Sequence, residues 1–345
     1  MEPALRPMSL GEILDRTAQL YRENFVLFAG IFVAYSSVAL LLGLLMVAFN
    51  QLVRAEHAVT LFGLKLTALG LESLILAMVA GAAVAATSRA VAWVHLGEKA
   101  TIRGAYSSIL PRIGRYLWLM TITFCVVYLP MMLIYFGYLG AVLHFGRGIR
   151  ANVHAAAGHT AVNPHMAIVL VVVSVIFFLL IVPALVYAVL MGLRYALSLP
   201  ACVLEDLKAW PAIKRGIALS QGARGRIFVL GLLIFAIKFV VVMTSQAFIV
   251  VAAFRHRGQV GAGLQAISAV IGFFTNTFLG PIYATGITLF YYDQRIRKEG
   301  YDIEWMMAAA GLTPPAPAAA PSDPPQAGEL PQPSEPTRPE FGENL

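Results

Sequence analysis

Residues 166–198 read MAIVLVVVSVIFFLLIVPALVYAVLMGLRYALS, with no charged side chain before Arg194. A helix rises 1.5 Å per residue and a bilayer's hydrocarbon core is about 30 Å thick, so about 20 apolar residues suffice to cross it. This stretch exceeds that length, and five others resemble it: 25–49, 67–95, 116–145, 227–254 and 263–292. Together they predict an all-α polytopic membrane protein with six transmembrane helices. Composition agrees: 59% of the residues are hydrophobic and 12% charged, against about 25% charged in soluble domains. The first run follows about 24 amphipathic residues and is too long for the apolar segment of a signal peptide, roughly 7–15 residues, so it is expected to remain as a transmembrane helix.

Lys and Arg are distributed unevenly between the connections. Fifteen lie before the first span, between the second and third, between the fourth and fifth, and just after the sixth; the alternate connections hold six. The positive-inside rule then places both termini in the cytoplasm. The net charge is +7, but the residues after Leu312 carry −4, leaving about +11 on the membrane body. Anionic lipid headgroups attract such cations by about 1 kcal/mol each. Arg103, Arg115, Lys214, Arg226, Arg295, Arg297 and Lys298 are the candidate headgroup contacts. Topology accounts for these charges, so membrane lipids are the expected partners, with protein partners in the membrane possible, and nucleic acid is not.

A short amphipathic leader precedes every second span: 10–24 (LGEILDRTAQLYREN), 101–115 (TIRGAYSSILPRIGR) and 211–226 (PAIKRGIALSQGARGR). Sliding the second by 111 superposes Ile102-Arg103 on Ile213-Lys214 and Gly114-Arg115 on Gly225-Arg226. In the first, Leu10, Ile13, Leu14, Thr17 and Leu20-Tyr21 recur at helical spacing. The pattern predicts three units of one leader plus two spans, the leaders lying in the inner interface with their apolar faces toward the lipid. Any short basic connection shares some of this character, which is the competing explanation. Past the last span, 293–307 carries aromatic residues suited to headgroup depth, with Gly300 as a helix breaker. Residues 1–310 thus form the membrane domain. Residues 311–345, rich in Pro, Ala and Glu, are expected to be a disordered cytoplasmic tail.

Within the spans, Lys238 lies twelve residues past Arg226, about 18 Å along a helix and so near the bilayer midplane. A charge there is costly and faces the bundle interior, pairs or snorkels. Glu72 is the one acidic residue inside a span, which makes a Lys238–Glu72 contact a candidate. The sixth span is the most polar, with Thr275, Asn276, Thr277, Gly280, Tyr283 and neighbouring threonines around Pro281. Such residues either line a path through a broken helix or act as interhelical packing. Pro130 and Pro183 also remove backbone donors inside spans. The small residues 81–86 (GAAVAA) favour close helix packing.

Chemistry-bearing patterns are sparse. Cys125 and Cys202 are isolated, and six histidines (His57, His144, His154, His159, His165 and His256) fall at the outer connections without ligand spacing. The acidic pairs Glu205-Asp206 and Asp302-Glu304 sit at membrane edges, where they read as anchors. No nucleotide-binding or hydrolase motif occurs. The residues therefore predict a non-enzymatic accessory, scaffold or lipid-interacting membrane protein without metal or cofactor. The alternative is a transporter or lipid translocator with a polar path along the sixth helix.

The two ends carry a resemblance. Arg6-Pro7-Met8-Ser9-Leu10-Gly11-Glu12-Ile13-Leu14-Asp15-Arg16, with Leu20-Tyr21-Arg22 and Asn24-Phe25, resembles the opening of the bacterial glycerophosphoryl diester phosphodiesterase membrane-domain family. Leu289-Phe290-Tyr291-Tyr292-Asp293-Gln294-Arg295-Ile296-Arg297-Lys298-Glu299-Gly300-Tyr301-Asp302 is similar to its ending, and Val203-Leu204-Glu205 is a weaker echo between them. The family is named for chains that join such a domain to a phosphodiesterase barrel. This sequence has no room for a barrel and lacks its His-Arg-Gly motif. The resemblance implies a stand-alone inner-membrane domain and supplies no catalytic residue.

Overall fold

A computed structural model describes residues 7–52, 58–95, 97–155, 164–255 and 262–300. The expected disordered tail, the headgroup segment beyond Gly300, and His57, His159 and His256 lie outside them. The described residues form eleven α-helices and no strand: α1 (Leu10–Glu23), α2 (Phe25–Leu52), α3 (Ala58–His95), α4 (Ile102–Ile109), α5 (Ile113–Val127), α6 (Leu129–Ala155), α7 (Pro164–Tyr195), α8 (Ser198–Leu204), α9 (Ala209–Ser220), α10 (Arg224–Arg255) and α11 (Ala262–Glu299). A 3-10 turn, Leu110–Arg112, links α4 to α5. Six helical stretches are long and apolar enough to cross a membrane. The chain is an all-α polytopic membrane protein, and the plan of a short helix followed by two spans occurs three times.

The third expected span, 116–145, is not one helix. It breaks at Tyr128, and Pro130 stands in the first turn of α6. Pro130 cannot donate to the carbonyl four residues back and its ring crowds that group, whereas a proline at a helix start gives up a donor that would have no partner anyway. Tyr128 donates to the Phe124 carbonyl and Met132 to that of Tyr128, so the chain bends without a loop. Pro183 and Pro281, by contrast, lie inside continuous helices. Gly300 ends α11 with φ 64°, the left-handed turn that favours glycine.

All three leaders are helical, but their apolar faces pack on protein rather than on lipid. Helix α1, closed by a Ser9–Glu12 capping box, buries Ile13, Thr17 and Leu20 against α11, α2 and α10. Helix α4, capped by Thr101, buries Ala105 and Ile109, and its Tyr106 hydroxyl donates to the Ile31 carbonyl at 2.7 Å. Helix α9 buries Ala212, Ile213, Gly216 and Leu219. Each leader is therefore a wedge in the basic end of the bundle, because an apolar stripe has the same drive to leave water whichever surface covers it.

Helix α11 is the centre, packed on α2, α10, α3 and α1. Close approaches are made by small residues. A Cβ on Gly280 would fall within the Phe32 ring of α2, and one on Gly81 within the Met120 side chain of α5. Between Gly81 and Ala86, Ala83, Ala85 and Ala86 are buried as the packing reading requires. Ser88 of α3 and Thr288 of α11 share a 2.9 Å hydrogen bond across their interface. Away from the basic end, α7 and α10 turn long apolar faces outward, Leu179 and Phe248 among them. Exposed to water, such faces would be costly; in a bilayer they face their solvent.

Candidate functional site

Charge concentrates at the end of the bundle that carries α1, α4, α9 and the close of α11. Asp293, one turn and a half before the end of α11, has 0% exposure. Its carboxylate accepts from the Met8 amide (2.8 Å), from Arg226 at the start of α10 (3.2 Å), from Arg297 (3.0 Å) and from Gln294 (3.1 Å). The two guanidinium groups also donate to the Met8 carbonyl, at 2.8 and 2.7 Å. A buried carboxylate needs such partners, since leaving it unpaired costs several kcal/mol. The result ties the chain's opening to α10 and α11.

A second cluster forms on Glu205, which caps α8. Arg215 of α9 donates to Glu205 at 2.8 Å and to Glu299 at 2.7 Å, while the Tyr291 hydroxyl donates to Glu205 at 2.6 Å. Arg295 bonds Glu299 at 3.2 Å. Burial acts to lower the Arg215 pKa, but its bonds to Glu299 and Glu205 outweigh this and raise it. Lys298 donates to the carbonyls of Ala218, Leu219 and Gln221 and so closes the C-terminal end of α9. Asp206, at φ 57°, pairs with Arg112 and, at 3.3 Å, with Arg115.

Five of the seven candidate headgroup cations are thus bonded within the protein: Arg115, Arg226, Arg295, Arg297 and Lys298. Arg103 of α4 and Lys214 of α9 are exposed and make no hydrogen bond or ion pair among the described residues. Sequence reading missed the roles of Asp293 and Glu205 as hubs. Their signal was present, because both lie in the segments that carried the family resemblance.

In the membrane region the expected Lys238–Glu72 contact does not form. Lys238 donates to the Asn276 side-chain carbonyl at 3.2 Å instead, across the α10–α11 pair. The pairings Phe32–Gly280 and Gly43–Ala269 make α2 and α11 antiparallel and bring Ser36 level with Asn276. Ser36 and Thr277 are buried there with unpartnered hydroxyls. Thr275 donates to the Ile271 carbonyl of its own helix. Tyr283 lies on the same helix, two residues past Pro281. The structure thus brings Lys238 to Asn276, with Ser36 at the same level on α2, and joins Glu72 to neither among the described residues. No family model, no curated protein and no solved structure matches the chain.

Proposed function

We propose that this chain is a non-enzymatic, lipid-engaging accessory protein of a bacterial inner membrane, with its basic end and both termini on the cytoplasmic side. One observation carries the reading. Arg103 and Lys214 stay outside the internal charge network and sit beside exposed apolar side chains. Trp210, 61% exposed, lies four residues before Lys214 and so shares its helix face, while Leu110 lies two turns beyond Arg103. A tryptophan with a cation at a bilayer boundary is the pairing that headgroup depth favours, the ring in the interface and the charge on phosphate. The carboxylates Glu205, Asp206, Asp293 and Glu299 are all held by arginines, which gives them a structural use and supports a role without catalysis. The resemblance of the two ends to the phosphodiesterase membrane-domain family supports a membrane-embedded domain of this kind.

Quenching of tryptophan fluorescence by brominated lipids tests it. The purified chain in vesicles should prefer brominated phosphatidylglycerol over brominated phosphatidylcholine. The Arg103→Gln/Lys214→Gln variant should lose that preference by about fivefold per charge, the equivalent of about 1 kcal/mol each. A preference that is absent, or unchanged in the variant, refutes the reading.

A translocator has one observation in its favour, the Lys238–Asn276 bond within the membrane region. Much of the remaining polar stretch of α11 is engaged in packing: Gly280 receives Phe32 and Thr288 bonds Ser88. Lipid flux in proteoliposomes that disappears in Lys238→Ala would promote this reading over the first.

A further inference from the structure

Helices α3 and α5 run antiparallel, and the Gly81–Met120 contact sets their register. Counting along both helices places Arg89 level with Arg112, and Tyr116 one turn deeper. Side chains on a helix lean toward its N-terminus. Arg89 therefore leans into the membrane while Tyr116 leans toward the basic end, and the two converge.

Tyr116 is 1% exposed and its hydroxyl has no hydrogen-bond partner; the Nε of Arg89 is likewise buried without one. Buried donors are rarely left unsatisfied, and each such group calls for an explanation. Asp206, the nearby carboxylate, is already taken by Arg112 and Arg115. Arg89 has no ion pair or hydrogen bond among the described residues.

We propose that Arg89 and the Tyr116 hydroxyl form a binding site for a phosphate anion where α3 meets α5, in the field of Arg112 and Arg115. Guanidinium and phenol groups both donate, and the guanidinium fork matches two phosphate oxygens. The depth is that of headgroup phosphates at the basic end, so the anion is a lipid phosphodiester or a free phosphate reaching the same donors. The site rests on the reading that this end engages membrane phosphates, but it uses residues separate from Arg103 and Lys214.

Calorimetric titration of the full chain in uncharged maltoside detergent tests the site, with dioctanoyl phosphatidylglycerol and inorganic phosphate as separate probes. One saturable site is expected for at least one probe, and which one saturates identifies the source. Arg89→Gln should weaken it by roughly tenfold or more, as expected for loss of a charge-assisted pair. Tyr116→Phe, which removes one oxygen and keeps the packing, should weaken it by roughly threefold to tenfold and reads the site even if Arg89→Gln fails to fold. No saturable binding with either probe, or binding unchanged by Tyr116→Phe, overturns the site while leaving the brominated-lipid preference as the separate test of the broader reading.

Discussion

At the scale of single residues, the buried acid Asp293 and the membrane-embedded Lys238 make opposite predictions about coupling. Replacing Asp293 by Ala leaves Arg226 and Arg297 without their carboxylate and the Met8 amide without an acceptor. Breaking a fully buried pair costs about 3–5 kcal/mol, and the partial exposure of both arginines reduces this to about 2 kcal/mol. Thermal unfolding in detergent should show that loss, and Asp293→Asn should recover part of it through the amide oxygen. For Lys238, a double-mutant cycle with Asn276→Ala should give a coupling of about 0.6 kcal/mol, typical of hydrogen bonds between membrane helices. The same cycle with Glu72→Ala should be additive. Both residues of the observed pair were legible in the sequence as polar groups inside spans. Which one Lys238 would meet was not, because depth counted along a helix says nothing about which neighbour that helix packs against.

Helices respond to changes at their contacts, and two glycines separate the kinds of response. A methyl group at Gly216 of α9 would meet the backbone of Ser198, 2.5 Å from its nitrogen and 2.6 Å from its Cα. One at Gly280 of α11 would meet first the ring of Phe32. Backbone cannot rotate away, whereas a ring can shift. Gly216→Ala should therefore destabilise by about 3 kcal/mol and Gly280→Ala by about 1 kcal/mol, within the range for overpacking. Phe32→Leu should relieve the second and leave the first untouched, a comparison that paired melting curves will decide. The leaders were readable as amphipathic helices from their spacing. The covering of α1 by α11, α2 and α10 was not, since a stripe of Ile13, Thr17 and Leu20 looks the same whether it meets lipid or protein. The break at Tyr128 was half readable: Pro130 marked the place, but Pro183 and Pro281 carry the same chemistry inside unbroken helices.

For the whole molecule, the six spans were plain in the sequence because each is long and apolar, and the bilayer's thickness admits few other solutions. The charge network was hidden by distance along the chain: Met8 and Asp293 are 285 residues apart, and only the fold brings them together. Neutralising the basic end should change how the protein sits among anionic lipids without unfolding it, provided the residues changed are Arg103 and Lys214 and not the arginines bonded to Asp293. Cysteine accessibility measures the proposed orientation most directly. In a Cys125→Ser/Cys202→Ser background, Lys214→Cys at the basic end and Ala262→Cys at the start of α11 are labelled with a membrane-impermeant maleimide on intact cells. Ala262→Cys should be labelled from outside, and Lys214→Cys only after the membrane is opened. Labelling of Lys214→Cys on sealed cells would contradict that orientation.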